Sequence, residues 1–492
     1  MSAREGGRQN AARALLWALL AVALARLWVM PMFSSFWVDE MGTAFVVRHG
    51  RDDASLRVAP QVPESVYYAL PALSRKLGER SEFAWRLPSL LAMLGALAVI
   101  GRLAARLIHR DAAWFAVFAC LTLRGFNYQA ADARPYGLGT FLAAAALLFL
   151  IRSIDSWRPA DAAGFLLCAA LLWRVQLVYW PMYAVFAFYA AVRLRGQGRA
   201  AWLRAGLGAV SVAAALVPVL LTALAIFREA GAHVVVAPPS LLDFARSLKL
   251  GLVVGCGAGA WLAWRITPKR AAAASFAPGA LIVILGWWLC EPLGLFAFSH
   301  LTGASVWVPR YLSLSLAGCA LAATAAASRF LSAGQWRLAA AVLGFAALLL
   351  NGQWGAWWPP HHNSDWRAAA KSAEAWGGPG TPVICPSPFI EARPPEWTPD
   401  YPLPGFLYSH LEFYPPGGRP YLFPFEASEA AKRYAEELAR GPLLRAGRFV
   451  IYGGAGQAGY WRDWFGGRVE FAGWKIDRPG PFRDVEVYGF YR

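Results

Sequence analysis

The stretch Phe36-Trp37-Val38-Asp39-Glu40-Met41-Gly42-Thr43 follows the first apolar run of the chain, Ala14–Ala25. It places two adjacent carboxylates at the mouth of a predicted membrane span. Acids in or beside a bilayer are energetically costly, and where they occur they usually have a function. The function of the protein therefore depends on which other groups these two acids face.

The composition is that of a polytopic membrane protein. The 492 residues are 58% hydrophobic and only 16% charged, whereas soluble domains average about 25% charged. The net charge of +17 raises the alternative of a nucleic-acid-binding protein. However, arginine and lysine lie mostly in short loops between apolar runs, which is typical of membrane proteins that follow the positive-inside rule.

Apolar runs long enough to cross a bilayer predict about eleven transmembrane helices, centred near residues 20, 97, 120, 143, 167, 184, 216, 256, 286, 318 and 345. With a cytoplasmic N-terminus, the basic loops all fall on the inner side. These loops carry Arg102, Arg106, Arg110, Arg152, Arg158, Arg193, Arg195, Arg199, Arg204, Arg265, Lys269, Arg270, Arg329 and Arg337. The same topology places Asp39 and everything after about residue 355 on the outer side.

The sequence predicts two domains. Residues 1–357 form a transmembrane domain with an outer first loop at 32–86, and residues 358–492 form an α/β domain outside the membrane. The second region is richer in proline, glycine, tryptophan and charge. Its patterns predict helices from Ser364 and over Ala427–Leu438. They also predict strands over Pro382–Cys385 and Phe449–Tyr452 and a closing hairpin of Val469–Ile476 with Val485–Tyr491.

Asp39 and Glu40 are candidate catalytic residues. Neighbours on a helix point about 100° apart, so one acid at most can face a given substrate atom. We predict that Asp39 is a general base and that Glu40 supports it or binds a ligand, since partial desolvation makes a carboxylate more basic. The alternative is a hydrated interfacial pair that only ends the span.

Two further segments, Ala133-Arg134-Pro135-Tyr136 and Val308-Pro309-Arg310-Tyr311, each place a proline at a predicted helix start. Both helices run inward, so each would present unpaired N–H groups and an arginine at the outer leaflet, which suits a phosphate. The alternative is two arginines that only extend their charge to the headgroups. Asp132 is a third acid on this side, placed to pair with Arg134 or to help hold a metal.

These motifs, taken in order, resemble those of the GT-C membrane glycosyltransferases. The similarity is greatest to bacterial relatives of the protein O-mannosyltransferases (family 39) and to the aminoarabinose-to-lipid-A transferases. The matching segments span about residues 12 to 370: Trp37-Val38-Asp39-Glu40-x-x-Thr43, Val66-Tyr67-Tyr68, Ser81-Glu82-Phe83-Ala84-Trp85-Arg86-Leu87-Pro88-Ser89, Asp132-Ala133-Arg134-Pro135-Tyr136, Pro309-Arg310-Tyr311-Leu312 and Asp365-Trp366-Arg367-Ala368-Ala369.

The resemblance implies a GT-C fold and a sugar donor carried on a polyprenyl phosphate. It implies that Asp39 deprotonates the acceptor hydroxyl and that the anomeric carbon is inverted by direct displacement. Arg310 or Arg134 would then stabilise the leaving phosphate. The chain departs from the family at Pro63-Glu64-Ser65, where relatives have His-Pro-Pro, and at Asp132, where they more often have glutamate. The first departure leaves the shape of the acceptor cleft in question.

Other residues have supporting roles in this interpretation. Tyr67, Tyr136 and Tyr311 lie in the matching motifs, while Arg174 and His300 are predicted at the outer side. No cofactor is indicated, and a divalent cation at the acids is left open. His361 and His362 are expected to be surface residues, and Gly454–Gly459 to be a glycine-rich turn although it fits G-x-G-x-x-G.

The predicted protein is thus an inverting glycosyltransferase of a bacterial inner membrane. Its partners would be a lipid-linked sugar, an acceptor glycan, lipid or protein, and membrane lipids, but not nucleic acid. The alternatives are a flippase or transporter of lipid-linked sugars and a non-catalytic membrane scaffold. Transporters place ionisable residues near the bilayer midplane, and Arg174 is the one charge expected near such a position.

Overall fold

The computed structural model of the chain describes residues 2–59, 65–229, 236–266 and 276–492, with side chains from residue 10 onward. Pro63, Glu64, Lys269 and Arg270, which take part in the predictions above, lie outside the described residues. The α-helices, labelled in chain order, are α1 Ser2–Leu24, α2 Val38–His49, α3 Ala69–Ser74, α4 Glu82–Leu107, α5 Ala113–Thr122, α6 Arg124–Tyr128, α7 Tyr136–Ser156, α8 Pro159–Val175, α9 Met182–Leu194, α10 Arg199–Glu229, α11 Leu241–Ser247, α12 Leu250–Ile266, α13 Pro278–Thr302, α14 Ser313–Ser328, α15 Trp336–Asn351, α16 Trp366–Gly377, α17 Ser409–Phe413, α18 Glu429–Leu438, α19 Leu444–Ala446 and α20 Ala455–Gly466. The strands are β1 Pro382–Pro386, β2 Arg419–Phe423, β3 Arg448–Gly454, β4 Lys475–Asp477 and β5 Val485–Tyr491.

The chain divides into two compact units. The first, a helical unit, contains Met1–Met32, Pro63–Leu70 and Arg86–Pro359. The second, which we call the mixed unit, contains Phe33–Val62, Pro71–Trp85 and Pro360–Arg492. Most of the predicted first loop therefore groups with the C-terminal region.

Each of the eleven predicted span centres falls within a helix of the helical unit. Seven stretches of the described residues are long and apolar enough to cross a membrane, or eight if the bent pair α11 and α12 counts as one. The helices at the other predicted centres, α5, α8 and α15, have 10, 17 and 16 residues. At 1.5 Å per residue these three are shorter than a hydrocarbon core of about 30 Å.

Helix α14 forms the centre of the helical unit, with 89% of its spanning window buried. It consists largely of alanine, serine and glycine, and small residues let neighbouring helices approach closely. At Gly318 an added Cβ would lie 2.3 Å from the backbone nitrogen of Trp288. Helices α14 and α13 therefore touch backbone to backbone at this point.

Ion pairs connect the helices at one end of the helical unit. Asp155 of α7 forms ion pairs with Arg106 of α4 and Arg193 of α9. Nearby in sequence, Arg152 pairs with the buried Asp161 at 2.9 Å. These are the arginines that the sequence predicts at the inner side.

The mixed unit is built on a five-stranded sheet of order β2-β1-β3-β5-β4. Strand β1 runs parallel to β2 and β3, whereas β5 is antiparallel to both β3 and β4. The predicted helix after Ser364 is confirmed as α16, with the Asp365 carboxylate accepting the Ala368 N–H at 3.2 Å. The predicted strand from Val469 is wrong in part, because Val469–Phe471 forms a 3₁₀ turn and only β4 is extended.

The prediction of a glycine-rich turn at Gly454–Gly459 is also wrong in part, because Ala455–Gly466 forms a helix, α20. A strand followed by a helix resembles the start of a dinucleotide-binding unit. However, the strand that follows, β5, pairs antiparallel to β3, whereas such a unit needs a parallel crossover. The strand order here is therefore not that of a dinucleotide-binding unit.

Candidate functional site

Asp39 and Glu40 lie in the first turn of α2 in the mixed unit. Trp37, the residue before the helix, is extended at φ −97° and ψ 173°. Its backbone N–H donates to Oε2 of Glu40 at 3.3 Å. Glu40 therefore satisfies an N–H group at the start of the helix, and both acids benefit from the positive end of its dipole.

The two acids differ in exposure. Glu40 is completely buried, whereas Asp39 is half-buried. This agrees with the expectation that adjacent acids on a helix face different directions. Asp39 is thus the more exposed carboxylate of the pair, and Glu40 is held within the turn by its hydrogen bond to Trp37.

Two histidines lie close to this turn within the mixed unit. His362 stacks on Trp37 with ring centroids 5.0 Å apart and planes within 6°. His361 is buried, and its backbone N–H donates to the Ser34 hydroxyl at 3.0 Å. The prediction that both histidines are surface residues is wrong for His361, because the segment folds back onto residues 34–37 instead of linking two domains freely.

Glu40 and His361 also form a pair of potential metal ligands, with ligand atoms within 4.8 Å of each other. A carboxylate and an imidazole suit a transition metal such as zinc. A protein site of this kind usually has three or four protein ligands, so this pair alone is not a complete site.

The other end of α2 is anchored to α17. The Glu412 carboxylate accepts a hydrogen bond from Arg48 at 2.8 Å and lies 2.9 Å from Nε2 of His49. The Arg48 guanidinium also lies over the Phe413 ring, 3.9 Å from its centroid. These contacts hold the helix that carries Asp39 in a fixed orientation within the mixed unit.

In the helical unit the two arginine segments come together through their tyrosines. Tyr136 begins α7, and Tyr311 lies in the 3₁₀ turn Pro309–Leu312 that leads into α14. Their ring centroids are 6.3 Å apart. Each arginine lies near the ring of its own segment, Arg134 at 5.9 Å from the Tyr136 centroid and Arg310 at 5.5 Å from that of Tyr311.

The segments that carry the two arginines thus meet in the helical unit, one at the start of α7 and the other at the 3₁₀ turn that precedes α14. Both arginines are half-buried, and Asp132, two residues before Arg134, is completely buried. Helix N-termini and guanidinium groups both favour bound anions. The segments therefore contain both kinds of group on which the prediction of a phosphate site depends.

Tyr67 is linked to the backbone of the Arg134 segment by hydrogen bonds through Ser89. Its hydroxyl shares a 3.0 Å hydrogen bond with the Ser89 hydroxyl, which donates to the backbone carbonyl of Arg134 at 3.3 Å. Tyr67 and Ser89 are both completely buried. The Tyr-Tyr motif thus supports the backbone at Arg134.

Two predicted supporting residues make other contacts. Arg174 donates to the Ala215 carbonyl of α10 at 2.8 Å, next to the proline-containing turn of that helix. His300 lies in the last turn of α13, 2.9 Å from the Pro239 carbonyl and 4.5 Å from the Phe296 ring. The structure assigns both residues to contacts that join neighbouring segments.

An interior acid of the helical unit, Glu291, was not predicted from the sequence. Glu291 lies near the middle of α13 and is 3% exposed, and its carboxylate accepts the Ser315 N–H at 2.9 Å. The expectation that Arg174 is the one charge near an interior position is therefore wrong. The signal was present, because Cys290-Glu291-Pro292 places a single acid in an apolar run of 25 residues.

No protein-family model matches the sequence, and no curated protein matches it. Among solved structures, the chain is similar to ArnT from Cupriavidus metallidurans in the apo state, with 14% identity, a TM-score of 0.56 and coverage of 97% of this chain and 98% of ArnT. For ArnT bound to undecaprenyl phosphate the identity is 14%, the TM-score 0.55 and the coverage 96% and 97%.

Arabinosyltransferase EmbB from Mycobacterium smegmatis is similar over 63% of this chain and 30% of its own length, with 18% identity and a TM-score of 0.40, which is too low to support a common fold. The near-complete match to ArnT confirms the predicted fold, a polytopic α-helical membrane protein of the GT-C type with a C-terminal α/β region. At 14% identity the likeness concerns the fold alone.

Proposed function

We propose that the protein is an inverting glycosyltransferase that moves a sugar from a polyprenyl-phosphate carrier to an acceptor hydroxyl. The observation that carries the proposal is the meeting of the Arg134 and Arg310 segments at two helix starts. It occurs in a chain with the fold of ArnT, for which a structure bound to undecaprenyl phosphate is known. A lipid-linked phosphate is the anion that such a position in a membrane protein suits.

The donor phosphate is assigned to Arg134 and Arg310. As the bond between the anomeric carbon and the phosphate oxygen breaks, negative charge grows on the phosphate. Two guanidinium groups and the N–H groups at the start of α7 would stabilise this charge more strongly in the transition state than in the ground state. The departing group is the polyprenyl phosphate.

Asp39 is assigned to the acceptor. Its carboxylate takes the hydroxyl proton while the acceptor oxygen attacks the anomeric carbon from the side opposite the phosphate, which inverts that carbon. General-base catalysis of this kind typically contributes 10²–10⁴-fold in rate. Glu40 keeps the first turn of α2 in place by accepting the Trp37 N–H.

We place the reaction at the outer face of a bacterial inner membrane, with the N-terminus in the cytoplasm. The charge distribution supports this orientation, because Arg106, Arg152 and Arg193 cluster at one end of the helical unit around acidic partners. The acceptor would be a glycan, a lipid or a protein.

Variants of the two arginines test the donor assignment. Purified Arg134→Ala and Arg310→Ala proteins should each bind radiolabelled undecaprenyl phosphate more weakly and transfer sugar more slowly than wild type. Arg204→Ala is the matched control, since this arginine lies over Trp157 beyond the other end of α7, 5.5 Å from its ring centroid. Wild-type binding and transfer in both arginine variants would refute the assignment.

One observation favours a transporter instead, namely the intramembrane acid Glu291. Against this, the Glu291 carboxylate already accepts the Ser315 N–H. Proteoliposomes with a lipid-linked sugar in one leaflet separate the two functions. Net translocation without formation of a glycosylated acceptor would support the transporter, and transfer to an acceptor would support the enzyme.

A further inference from the structure

Glu291 is a buried acid within a membrane-spanning helix. Such residues are energetically costly and usually have a structural or functional role. It lies near the middle of α13, whose other residues are almost all apolar. Its Oε2 accepts the backbone N–H of Ser315, the third residue of α14, at 2.9 Å. Glu291 thus reaches from one helix to the start of another.

The start of α14 needs this acceptor. The residue before the helix is Leu312, whose side chain has no hydrogen-bonding atom, and no side-chain cap is formed there. The first N–H groups of any helix lack partners within it, and in an apolar environment each unpaired group is costly. Glu291 therefore acts as a cap that a neighbouring helix supplies.

A second contact holds the same turn. Ser313, the first residue of α14, shares a 3.0 Å hydrogen bond with the hydroxyl of the buried Tyr179. Tyr179 is itself fixed against α7, because a Cβ at Gly139 would lie 2.2 Å from its ring. Helix α14 is thus anchored at its start from two directions.

The anchored turn continues directly into the segment with Arg310. The Ser315 hydroxyl donates to the Leu312 carbonyl at 2.8 Å, and the Tyr311 N–H donates to the Val308 carbonyl at 2.8 Å. These two bonds order the segment on either side of Leu312, and the 3₁₀ turn Pro309–Leu312 runs without a break into α14 at Ser313. Any shift of the first turn of α14 would therefore move Arg310 as well.

We infer that Glu291 is a positioning residue, which caps α14 across the helix interface and so fixes Arg310 where the phosphate binds. This inference rests on the proposed function of Arg310. Glu291 does not touch the donor. It acts through the Ser315 N–H, and a displacement of about 1 Å at a group acting on the transition state can cost about 10²-fold in rate.

The test compares Glu291→Gln with Glu291→Leu in the purified full-length protein. The glutamine amide oxygen still accepts the Ser315 N–H, so this variant should keep a rate close to that of wild type. The leucine variant has no acceptor, and its kcat should fall by about 10- to 100-fold while KM for the acceptor is unchanged. Thr324→Val is the matched control, since this buried hydroxyl of α14 bonds within its own helix, to Ala320.

A double-mutant cycle with Arg310→Ala separates positioning from general stability. If Glu291 acts through Arg310, adding Glu291→Leu to Arg310→Ala should cause little further loss of kcat. An equal loss in both backgrounds would overturn the inference while leaving the role of Arg310 intact. Wild-type activity of Arg310→Ala itself would instead overturn the proposed donor site, and the inference with it.

Tyr179→Phe keeps the test decisive if Glu291→Leu fails to fold. It removes only the hydroxyl that anchors Ser313 and leaves the ring against Gly139 in place. Its kcat should also fall, and the loss should again shrink in the Arg310→Ala background. A loss that is the same in both backgrounds, or no loss at all, would contradict the positioning of Arg310 by the start of α14.

Discussion

Acidification should destabilise the mixed unit through one histidine, His410. This residue lies in α17 and is completely buried, and neither ring nitrogen has a hydrogen-bond partner among the described residues. Its ring is packed among Trp366, Tyr408 and Tyr452 at centroid distances of 5.2, 6.2 and 6.1 Å. Burial without a partner lowers the pKa of His410 from 6.5 to about 3.

The direction and size of the effect follow from this pKa. The folded state binds a proton only near pH 3, whereas the unfolded state binds one below about pH 6.5. The free energy of unfolding is therefore highest above pH 6.5, where His410 is neutral in both states. It falls progressively as the pH is lowered toward 3, because only the unfolded state binds the proton. Between pH 7 and pH 5 the free energy of unfolding should fall by about 2 kcal/mol.

The measurement is hydrogen exchange of strands β1 and β3 in the full-length protein, followed from pH 7 to pH 5 after correction for the intrinsic exchange rate. His410→Leu should remove most of this pH dependence. His362→Gln is the control, because this half-buried ring stacks on Trp37 at one face and should leave the dependence in place. An equal loss of protection on acidification in wild type and His410→Leu would show that His410 does not cause the pH dependence.

Two further predictions concern stability and are measured by thermal unfolding of the purified full-length protein. Glu412→Gln weakens the partly exposed pair with Arg48 and should cost about 1 kcal/mol. Glu426→Gln, whose pair is more exposed, should cost less than about 0.5 kcal/mol, and equal costs would contradict the anchoring of α2. Gly318→Ala should cost at least about 2 kcal/mol, because its Cβ meets backbone atoms that cannot move aside, whereas Gly255→Ala enters open space. A tolerated Gly318→Ala would contradict the close contact of α13 and α14.

The positions of the helices could be predicted from the sequence because hydrophobicity and length carry that information directly. All eleven predicted centres are helical. The number of full spans could not, because α5, α8 and α15 are largely apolar yet shorter than the hydrocarbon core of a membrane. A run of apolar residues does not show where a helix bends or ends within protein surroundings.

The elements of the mixed unit were predictable where local signals were strong. Asp365 caps α16 as expected, and β1 and β3 follow their apolar patterns. Strand β2 was missed because Arg419–Phe423 begins with two exposed residues, one of them a proline, and has no alternating pattern. Its place in the sheet comes from its parallel pairing with β1, which is a tertiary contact.

In the candidate site, too, local sequence signals could be predicted and tertiary contacts could not. Matching motifs indicated Arg134 and Arg310, and the contact of Tyr136 with Tyr311 joins their segments. The contact of Glu291 with Ser315 depends on how α13 crosses α14, which one sequence does not reveal. The burial of His361 likewise results from packing against residues distant in sequence.

The assignment of Asp39 as the general base is tested most directly by measuring sugar transfer by Asp39→Asn. Membranes carrying wild type, Asp39→Asn or Asp52→Asn are supplied with radiolabelled polyprenyl-phosphate sugars, and label in endogenous acceptors is counted at matched protein levels. Asp52 is an exposed acid near α2 and serves as the control. We expect Asp39→Asn to lose about 10²-fold or more of the transfer rate and Asp52→Asn to match wild type. Equal transfer by all three proteins would show that Asp39 is not the general base and would remove it from the mechanism.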